Sequence, residues 1–197
     1  AEEWVELFHF YNRGMVTTKW DGSIQCWTPT GTLRHDLCID RSKITAVAID
    51  KTRIAAGSWS GKIHVWNNQT GQQLFSLTNG KEPITALCFG TDPNTYIIGK
   101  KDGFLGVYNT IHGWKWERNL SGEIKSLSVS ADGRYLISGT NDRNIQLWSL
   151  SMGGHLSSFA LPHDPTTLQF GQGWRIITTA HDQLHFLQWV LINPQLS

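Results

Sequence analysis

Five aromatic residues recur along this sequence at a nearly constant distance. Trp27, Trp66, Tyr108, Trp148 and Trp189 are separated in turn by 39, 42, 40 and 41 residues. A period near 40 residues that closes on an aromatic is typical of stacked β-sheets and not of helical solenoids. The chain of 197 residues is therefore predicted to be all-β and to consist of five copies of one structural unit.

Each copy shows the same succession of strand patterns. An apolar strand is followed by a second strand that ends in a small residue, a tight turn, a third strand with the aromatic, a glycine turn and a fourth strand. Third strands such as 62–67 carry apolar residues on both faces, which a single sheet cannot bury alone. The sheets are therefore predicted to pack face to face as blades of a β-propeller, in units near 4–38, 43–78, 83–121, 123–161 and 165–193.

The two ends of the repeat leave the number of blades in the ring open. The first strand is predicted to begin near Val5, and the last unit passes Trp189 without a glycine turn. One alternative is a ring of five blades in which the last blade has a degenerate outer strand. The other is a portion of a larger ring, whose exposed blade face would associate with further blades or domains.

The turn between the second and third strands carries an acidic residue six positions before the aromatic. Asp21, Asp102 and Asp142 hold this place. Together with the period, this pattern resembles WD40 repeats over nearly the whole chain. The resemblance implies a hydrogen-bonded network of this Asp, a strand-two hydroxyl such as Ser58 or Thr140, the Trp and a preceding His. No unit holds all four members, so packing is expected to hold the blades together. The segment 109–117 also resembles, once, the Gly-Trp turn of quinoprotein-type propellers.

Composition excludes several classes of function. Lys and Arg number 17 against 16 Asp and Glu, so no nucleic-acid partner is predicted. No apolar run reaches the roughly 20 residues that span a bilayer, and no membrane partner is predicted. Cys26, Cys38 and Cys88 lack the spacing of a metal or redox motif and are predicted to be ordinary buried thiols. The expected location is cytoplasmic or nuclear.

No catalytic or cofactor-binding pattern stands out. His181 and His185 share a strand face but lie about 13 Å apart along the chain, too far for shared metal ligation. The sequence contains no nucleophile elbow, phosphate loop or dinucleotide motif. We therefore predict no metal, no cofactor and no enzymatic activity.

The residue before each turn Asp is the candidate for partner binding. The resemblance to WD40 repeats implies that this position lies on one rim of the propeller and contacts partners. The residues there are Trp20, Trp59, Lys101, Asn141 and, in the last unit, Asp182. Exposed tryptophans are typical of binding hot spots, although each Trp could instead cover its own turn.

Two functions are compatible with these positions. The first is a non-catalytic scaffold that presents one rim to a protein or peptide. The second is a lectin-like sensor of glycans or small molecules, in which Trp20 and Trp59 would stack on sugars. Trp114 and Trp116 were interpreted as sharing one face of a fourth strand, either in packing between blades or in an outer-edge partner site.

Overall fold

The computed structural model describes residues 5–11, 14–39, 41–171, 175–180 and 183–188. These residues form nineteen β-strands in five antiparallel sheets, as the sequence predicts. Four sheets have four strands, and the fifth has three strands within the described residues.

Blades 1 to 3 each follow the chain from inner to outer strand. Blade 1 is β1 (Val5–Tyr11), β2 (Gly14–Lys19), β3 (Ser23–Trp27) and β4 (Leu33–Cys38). Blade 2 is β5 (Ile44–Ile49), β6 (Arg53–Ser58), β7 (Lys62–Asn67) and β8 (Gln73–Thr78). Blade 3 is β9 (Ile84–Phe89), β10 (Thr95–Lys100), β11 (Phe104–Asn109) and β12 (Gly113–Asn119).

Blades 4 and 5 continue the same order. Blade 4 is β13 (Ile124–Val129), β14 (Tyr135–Thr140), β15 (Asn144–Ser149) and β16 (His155–Ala160). Blade 5 is β17 (Thr167–Phe170), β18 (Arg175–Ala180) and β19 (Gln183–Gln188). An outer strand for this blade is not among the described residues, which end at Gln188.

Successive blades pack through two different faces. We call the face that carries the closing aromatic the leading face, and the opposite face the trailing face. At the junction of blades 2 and 3, Ile63 and Val65 on the trailing face pack against Tyr96 and Ile98 of the next blade, beside Tyr108. The same arrangement joins blades 1 to 2, 3 to 4 and 4 to 5.

Glycine at the second strand lets the next blade approach closely. A Cβ atom at Gly57 would lie 2.4 Å from Cγ2 of Ile84, and one at Gly99 would lie 2.4 Å from Cγ2 of Ile124. These distances are well inside van der Waals contact, so no side chain fits between the blades there. The glycine near the end of the second strand in blades 2 and 3 is thus explained by packing between blades.

Trp114 and Trp116 point to opposite faces, contrary to the sequence interpretation. Trp114 lies beside Tyr108 in the junction with blade 2, whereas Trp116 packs on Trp148 of blade 4. The reason is a bulge, because the register of β11 and β12 shifts between Val107 and Tyr108. Both tryptophans belong to packing between blades, and the indole nitrogen of Trp116 donates to the carbonyl of Leu150 at 2.8 Å.

The hairpin that joins the second and third strands is one residue shorter in blade 5 than in blade 4. β18 and β19 are joined by two residues, compared with three between β14 and β15. As a result Leu187 pairs with Ile176, the place that Trp148 holds opposite Leu136. The predicted closing residue, Trp189, lies outside the described residues.

Leucine at this position leaves the junction of blades 4 and 5 less well filled. A cavity of about 190 Å³ opens there between Ile145 and Leu147 of blade 4 and Ile176 and Leu187 of blade 5. The other junctions place Trp66, Tyr108 or Trp148 at the equivalent position.

Candidate functional site

The closing aromatics are structural residues. Trp66 and Trp148 are each only 4% exposed, and Trp27 and Tyr108 are half-buried. Tyr108 stacks on Phe75 of the preceding blade with ring centroids 5.6 Å apart. Burial of Trp66 and Trp148 contributes to stability and removes these two rings from the surface.

The hydroxyl partner of the closing Trp differs from the one that the resemblance implied. The indole nitrogen of Trp148 donates to Oγ of Ser138 at 3.0 Å, and that of Trp27 donates to Oγ1 of Thr17 at 2.9 Å. These hydroxyls lie two residues before the end of strand two, whose side chains share a face with the Trp. Ser58 and Thr140, at the strand end, bond to the following turn instead.

The turn acids hold the rim turns in shape. Asp21 accepts hydrogen bonds from the amide and hydroxyl of Ser23, which lower its pKa. Asp102 accepts from the amide of Phe104. Burial alone would raise the pKa of Asp142, but hydrogen bonds including that from Ser121 outweigh burial and lower it. The lowered pKa values keep Asp21 and Asp142 ionised at neutral pH, and all three side chains hydrogen-bond within the turn region.

The two rim tryptophans are exposed, as one of the sequence alternatives predicted. Trp20 is 60% exposed and Trp59 is 51% exposed. Each indole lies against a lysine of the next blade. The ammonium of Lys43 is 4.1 Å from the centre of the Trp20 ring, and that of Lys101 is 4.6 Å from the Trp59 ring. Such contacts are worth about 0.5–1 kcal/mol at exposed sites and hold each ring in place.

These four side chains form one continuous surface. The amide of Trp59 donates to the carbonyl of Lys43 at 2.8 Å, so the two pairs share a backbone contact. We refer to Trp20, Lys43, Trp59 and Lys101 as the tryptophan–lysine stripe. It crosses the rim of blades 1 to 3 and alternates an aromatic ring with a cation.

Sequence reasoning missed Lys43 because it does not occupy the repeat position used to find the other residues. It lies in the loop just before β5, the first strand of blade 2. The carbonyl of Lys43 accepts from the amide of Trp59, so the residue that precedes the first strand of blade 2 lies next to the rim turn of the same blade. A search of that place in every unit would have found it.

The other predicted rim residues do not join the stripe. Asn141 is exposed, but its side-chain oxygen accepts from the amide of Glu123 at 2.8 Å and so closes its own loop. Asp182 lies outside the described residues.

A buried lysine lies next to the stripe in the chain. Lys100 is 4% exposed, and its ammonium donates to the backbone carbonyl of Asn79. Burial lowers the pKa of Lys100. Its ammonium also lies 4.5 Å from the centre of the Phe104 ring, so this cation is committed to packing and not to the rim surface.

Clusters of metal-ligating side chains are not found in the part of the chain that the structure describes. No group of three or more His, Cys, Asp or Glu residues there could hold a metal ion. Burial raises the pKa of the Cys26 thiol to about 12 and also raises that of Cys88, which makes both poor nucleophiles. Cys38 is exposed, contrary to the prediction of buried thiols, because its neighbour Leu37 is the inward residue of β4.

Membrane-spanning helices are likewise not found. Within the described residues, no helix has the length and apolar character required to cross a bilayer.

Comparison with known proteins agrees with this architecture. The family described as WD domain, G-beta repeat matches residues 27–67 and 114–149. A computationally designed protein, Ika8, superposes with a TM-score of 0.79 at 27% identity, over 93% of this chain and 58% of that one. A chain of the Mitotic Checkpoint Complex superposes with a TM-score of 0.86 at 14% identity, over 95% of this chain and 62% of that one.

Two relatives by sequence are also WD-repeat proteins. Autophagy-related protein 16 of Arabidopsis thaliana is 23% identical over 78% of this chain and 32% of its own length. Small ribosomal subunit protein RACK1y of Oryza sativa subsp. japonica is 29% identical over 77% of this chain and 50% of its own length. The chain is thus made of propeller blades, and residues 27–67 and 114–149 match WD40 repeats. It spans half or less of these relatives.

Proposed function

We propose that the chain is a non-catalytic module that binds another protein through the tryptophan–lysine stripe. The observation that carries the proposal is the continuity of Trp20, Lys43, Trp59 and Lys101 across three blades. WD-repeat proteins generally act as interaction scaffolds, which supports the coarse assignment. We propose a cytoplasmic or nuclear location on the same grounds.

The chemistry of the stripe favours a partner segment that carries both flat apolar side chains and carboxylates. Indole rings supply apolar contact area with few rotatable bonds, and the lysines supply positive charge beside them. Hydrogen-bonded turns and packed blades fix the rings before binding, so little conformational entropy is lost. Binding should therefore weaken as the salt concentration rises.

The test is a double substitution, Trp20→Ala with Trp59→Ala. We expect capture of protein partners in quantitative pull-downs to fall at least roughly tenfold, because rim tryptophans are hot-spot residues. The melting temperature should stay within about 2 °C, since both side chains are exposed and surface changes cost little.

The matched control is Ile111→Ala, which truncates an exposed side chain at the turn between β11 and β12, on the opposite rim. It should leave capture unchanged. If the double variant captures the same proteins as the wild type, or if it unfolds, the stripe is not the binding site. Binding to glycan arrays that is lost in the double variant would favour the lectin-like alternative instead.

A further inference from the structure

Two residues depart from the repeat at the junction of blades 2 and 3, and they contact each other. Directly after the outer strand, blades 1, 3 and 4 place an apolar residue that packs on a core cluster, namely Ile39, Leu120 and Leu161. Blade 2 places Asn79 there. At the end of the second strand, blades 2 and 4 place a hydroxyl, whereas blade 3 places Lys100. The ammonium of Lys100 crosses the junction and donates to the backbone carbonyl of Asn79.

The carboxamide of Asn79 occupies this apolar place without a polar contact for its nitrogen. The Nδ2 atom is buried, and no hydrogen-bond partner for it lies among the residues that the structure describes. A buried N–H group without an acceptor destabilises the folded state. The side-chain nitrogen of Asn79 is thus not retained by a hydrogen bond to any described residue.

The following residue, Gly80, presents an unhindered backbone nitrogen. Gly80 is exposed and has a φ of 77°, which glycine adopts without steric cost. A Cβ atom at this position would meet only the ammonium of Lys100 within 4 Å, at 3.9 Å. Asn79 and Gly80 also form the single Asn-Gly pair in the sequence. In such a pair the glycine nitrogen can attack the side-chain carbonyl carbon of the asparagine, because no side chain shields it.

The ammonium of Lys100 acts on the reacting amide itself. The carbonyl of Asn79 that it contacts belongs to the same peptide group as the nitrogen of Gly80. When that nitrogen loses its proton, resonance shares the negative charge with this carbonyl oxygen. A cation bonded to the oxygen stabilises the anion, and it does so more strongly in a buried place than in water. Lys100 is 4% exposed, so the contact is a buried one.

We propose that Asn79 is a site of spontaneous deamidation that Lys100 promotes. The nitrogen of Gly80 loses its proton to water and forms a bond to Cγ of Asn79, and the Cγ–Nδ2 bond breaks with release of ammonia. A water molecule then opens the resulting succinimide at either carbonyl and leaves an aspartate or an isoaspartate. The reaction consumes water, releases ammonia and requires no enzyme. The new carboxylate lies beside the ammonium of Lys100 and forms an ion pair with it.

The experiment follows deamidation of the folded protein at mildly alkaline pH by peptide mapping with mass spectrometry. Asn79 should convert faster than Asn141, which precedes Asp142 and whose side-chain oxygen accepts from the amide of Glu123. Lys100→Met should slow the reaction of Asn79 about tenfold, because a charge-assisted hydrogen bond to the reacting amide is lost.

Two comparisons separate this hydrogen bond from other effects. Lys81→Met removes an exposed positive charge next to Gly80 in the chain and should leave the rate at Asn79 unchanged. In urea the wild type and Lys100→Met should deamidate at equal rates, because unfolding removes the contact. If Lys100→Met does not fold, Lys100→Gln takes its place and should also slow the reaction, since a neutral donor stabilises the anion less.

Three results would overturn the proposal. These are an Asn79 that stays intact in the folded protein while it converts in urea, a folded Lys100→Met that reacts as fast as the wild type, and equal slowing by Lys81→Met. Thermal denaturation tests the product: Asn79→Asp should melt above the wild type, and the gain should vanish when Lys100 is also replaced by Met. Absence of this coupling would overturn the ion pair. None of these measurements depends on binding by the tryptophan–lysine stripe, so the proposed function is tested separately.

Discussion

At the scale of single residues, Arg53 joins two blades at a place that no repeat pattern marks. Its guanidinium forms hydrogen bonds with Asp50 at 2.7 and 2.9 Å and donates to the carbonyl of Pro93. It also lies over the Phe89 ring at 4.2 Å. The residue is almost fully buried. The ion pair orients the guanidinium within blade 2, and its contacts with Pro93 and Phe89 join blade 3 to blade 2. Sequence reasoning could not find this contact, because Pro93 lies 40 residues away in the next unit.

The ion pair predicts a pH dependence of stability. Burial alone would raise the pKa of Asp50, but hydrogen bonds from Thr52 and Arg53 outweigh it and lower the pKa. A carboxyl whose pKa is lowered on folding contributes stability above its unfolded value, about 4, and this contribution is lost as the pH falls through the folded value. Asp50→Asn should therefore lower the free energy of unfolding by about 1.5–3 kcal/mol at pH 7.

Urea denaturation at neutral and acidic pH measures this effect. The difference between Asp50→Asn and the wild type should shrink as the solution is acidified below about pH 4. Asp132→Asn is the control, since Asp132 holds a similar place in blade 4 but is exposed. Its Oδ2 atom lies 3.8 Å from Nε of Arg134, a longer distance than the 2.7 Å between Asp50 and Arg53. An equal loss of stability in the two variants at neutral pH would contradict the role of burial.

At the scale of the strand, the closing aromatic of each third strand could be predicted from the sequence. The hydroxyl that accepts a hydrogen bond from the closing tryptophan could not. The closing aromatics could be predicted because their period is preserved in four blades. Ser138 was missed because the residue at the strand end, Thr140, also carries a hydroxyl. The strand register decides between them, because both share the face of Trp148 but Ser138 lies nearer to Leu136, the residue that pairs with Trp148. A buried indole N–H requires such an acceptor.

Removal of this acceptor is expected to destabilise blade 4. Ser138→Ala leaves the indole N–H of Trp148 buried without a partner, which costs about 1–3 kcal/mol. Thr17→Ala in blade 1 should cost less, because Trp27 is only half-buried and its indole can bond to water. Urea denaturation of the two variants gives the comparison. A larger loss for Thr17→Ala would show that the indole hydrogen bonds do not follow burial.

Bulges and hairpin lengths account for the errors at this scale. One bulge in β11 and β12 sends Trp114 and Trp116 to opposite faces, and one missing residue between β18 and β19 brings Leu187 into the aromatic position. Neither changes the repeat period by more than a residue or two. A period alone therefore locates strands without fixing which face each side chain takes.

At the scale of the whole molecule, the junctions between blades determine stability. The all-β repeat and the number of sheets followed from the sequence, because every unit repeats the same turns and apolar strands. The rim stripe was predicted only in part, since Lys43 lies in the loop before β5 and not at the repeat position of the rim turn. The position of blade 5 relative to blade 1 could not be predicted from the sequence, because each repeat contacts only its neighbours.

The glycines at the junctions test this view. Gly99→Ala places a methyl group where only 2.4 Å separates it from Ile124, so it should lower the free energy of unfolding by about 1–3 kcal/mol. Gly154→Ala is the control, since no atom lies within 4 Å of its Cβ position. Thermal denaturation followed by circular dichroism compares them. Similar melting temperatures would mean that blades can shift apart at little cost.

The lysine over each rim indole also makes the surface sensitive to covalent modification. Lys101 is exposed, and its ammonium lies 4.6 Å from the centre of the Trp59 ring. Acetylation of that nitrogen would remove the positive charge and with it the attraction to the ring. One small chemical change would then release the indole and delete a charge from the stripe, without disturbing any core contact between the blades.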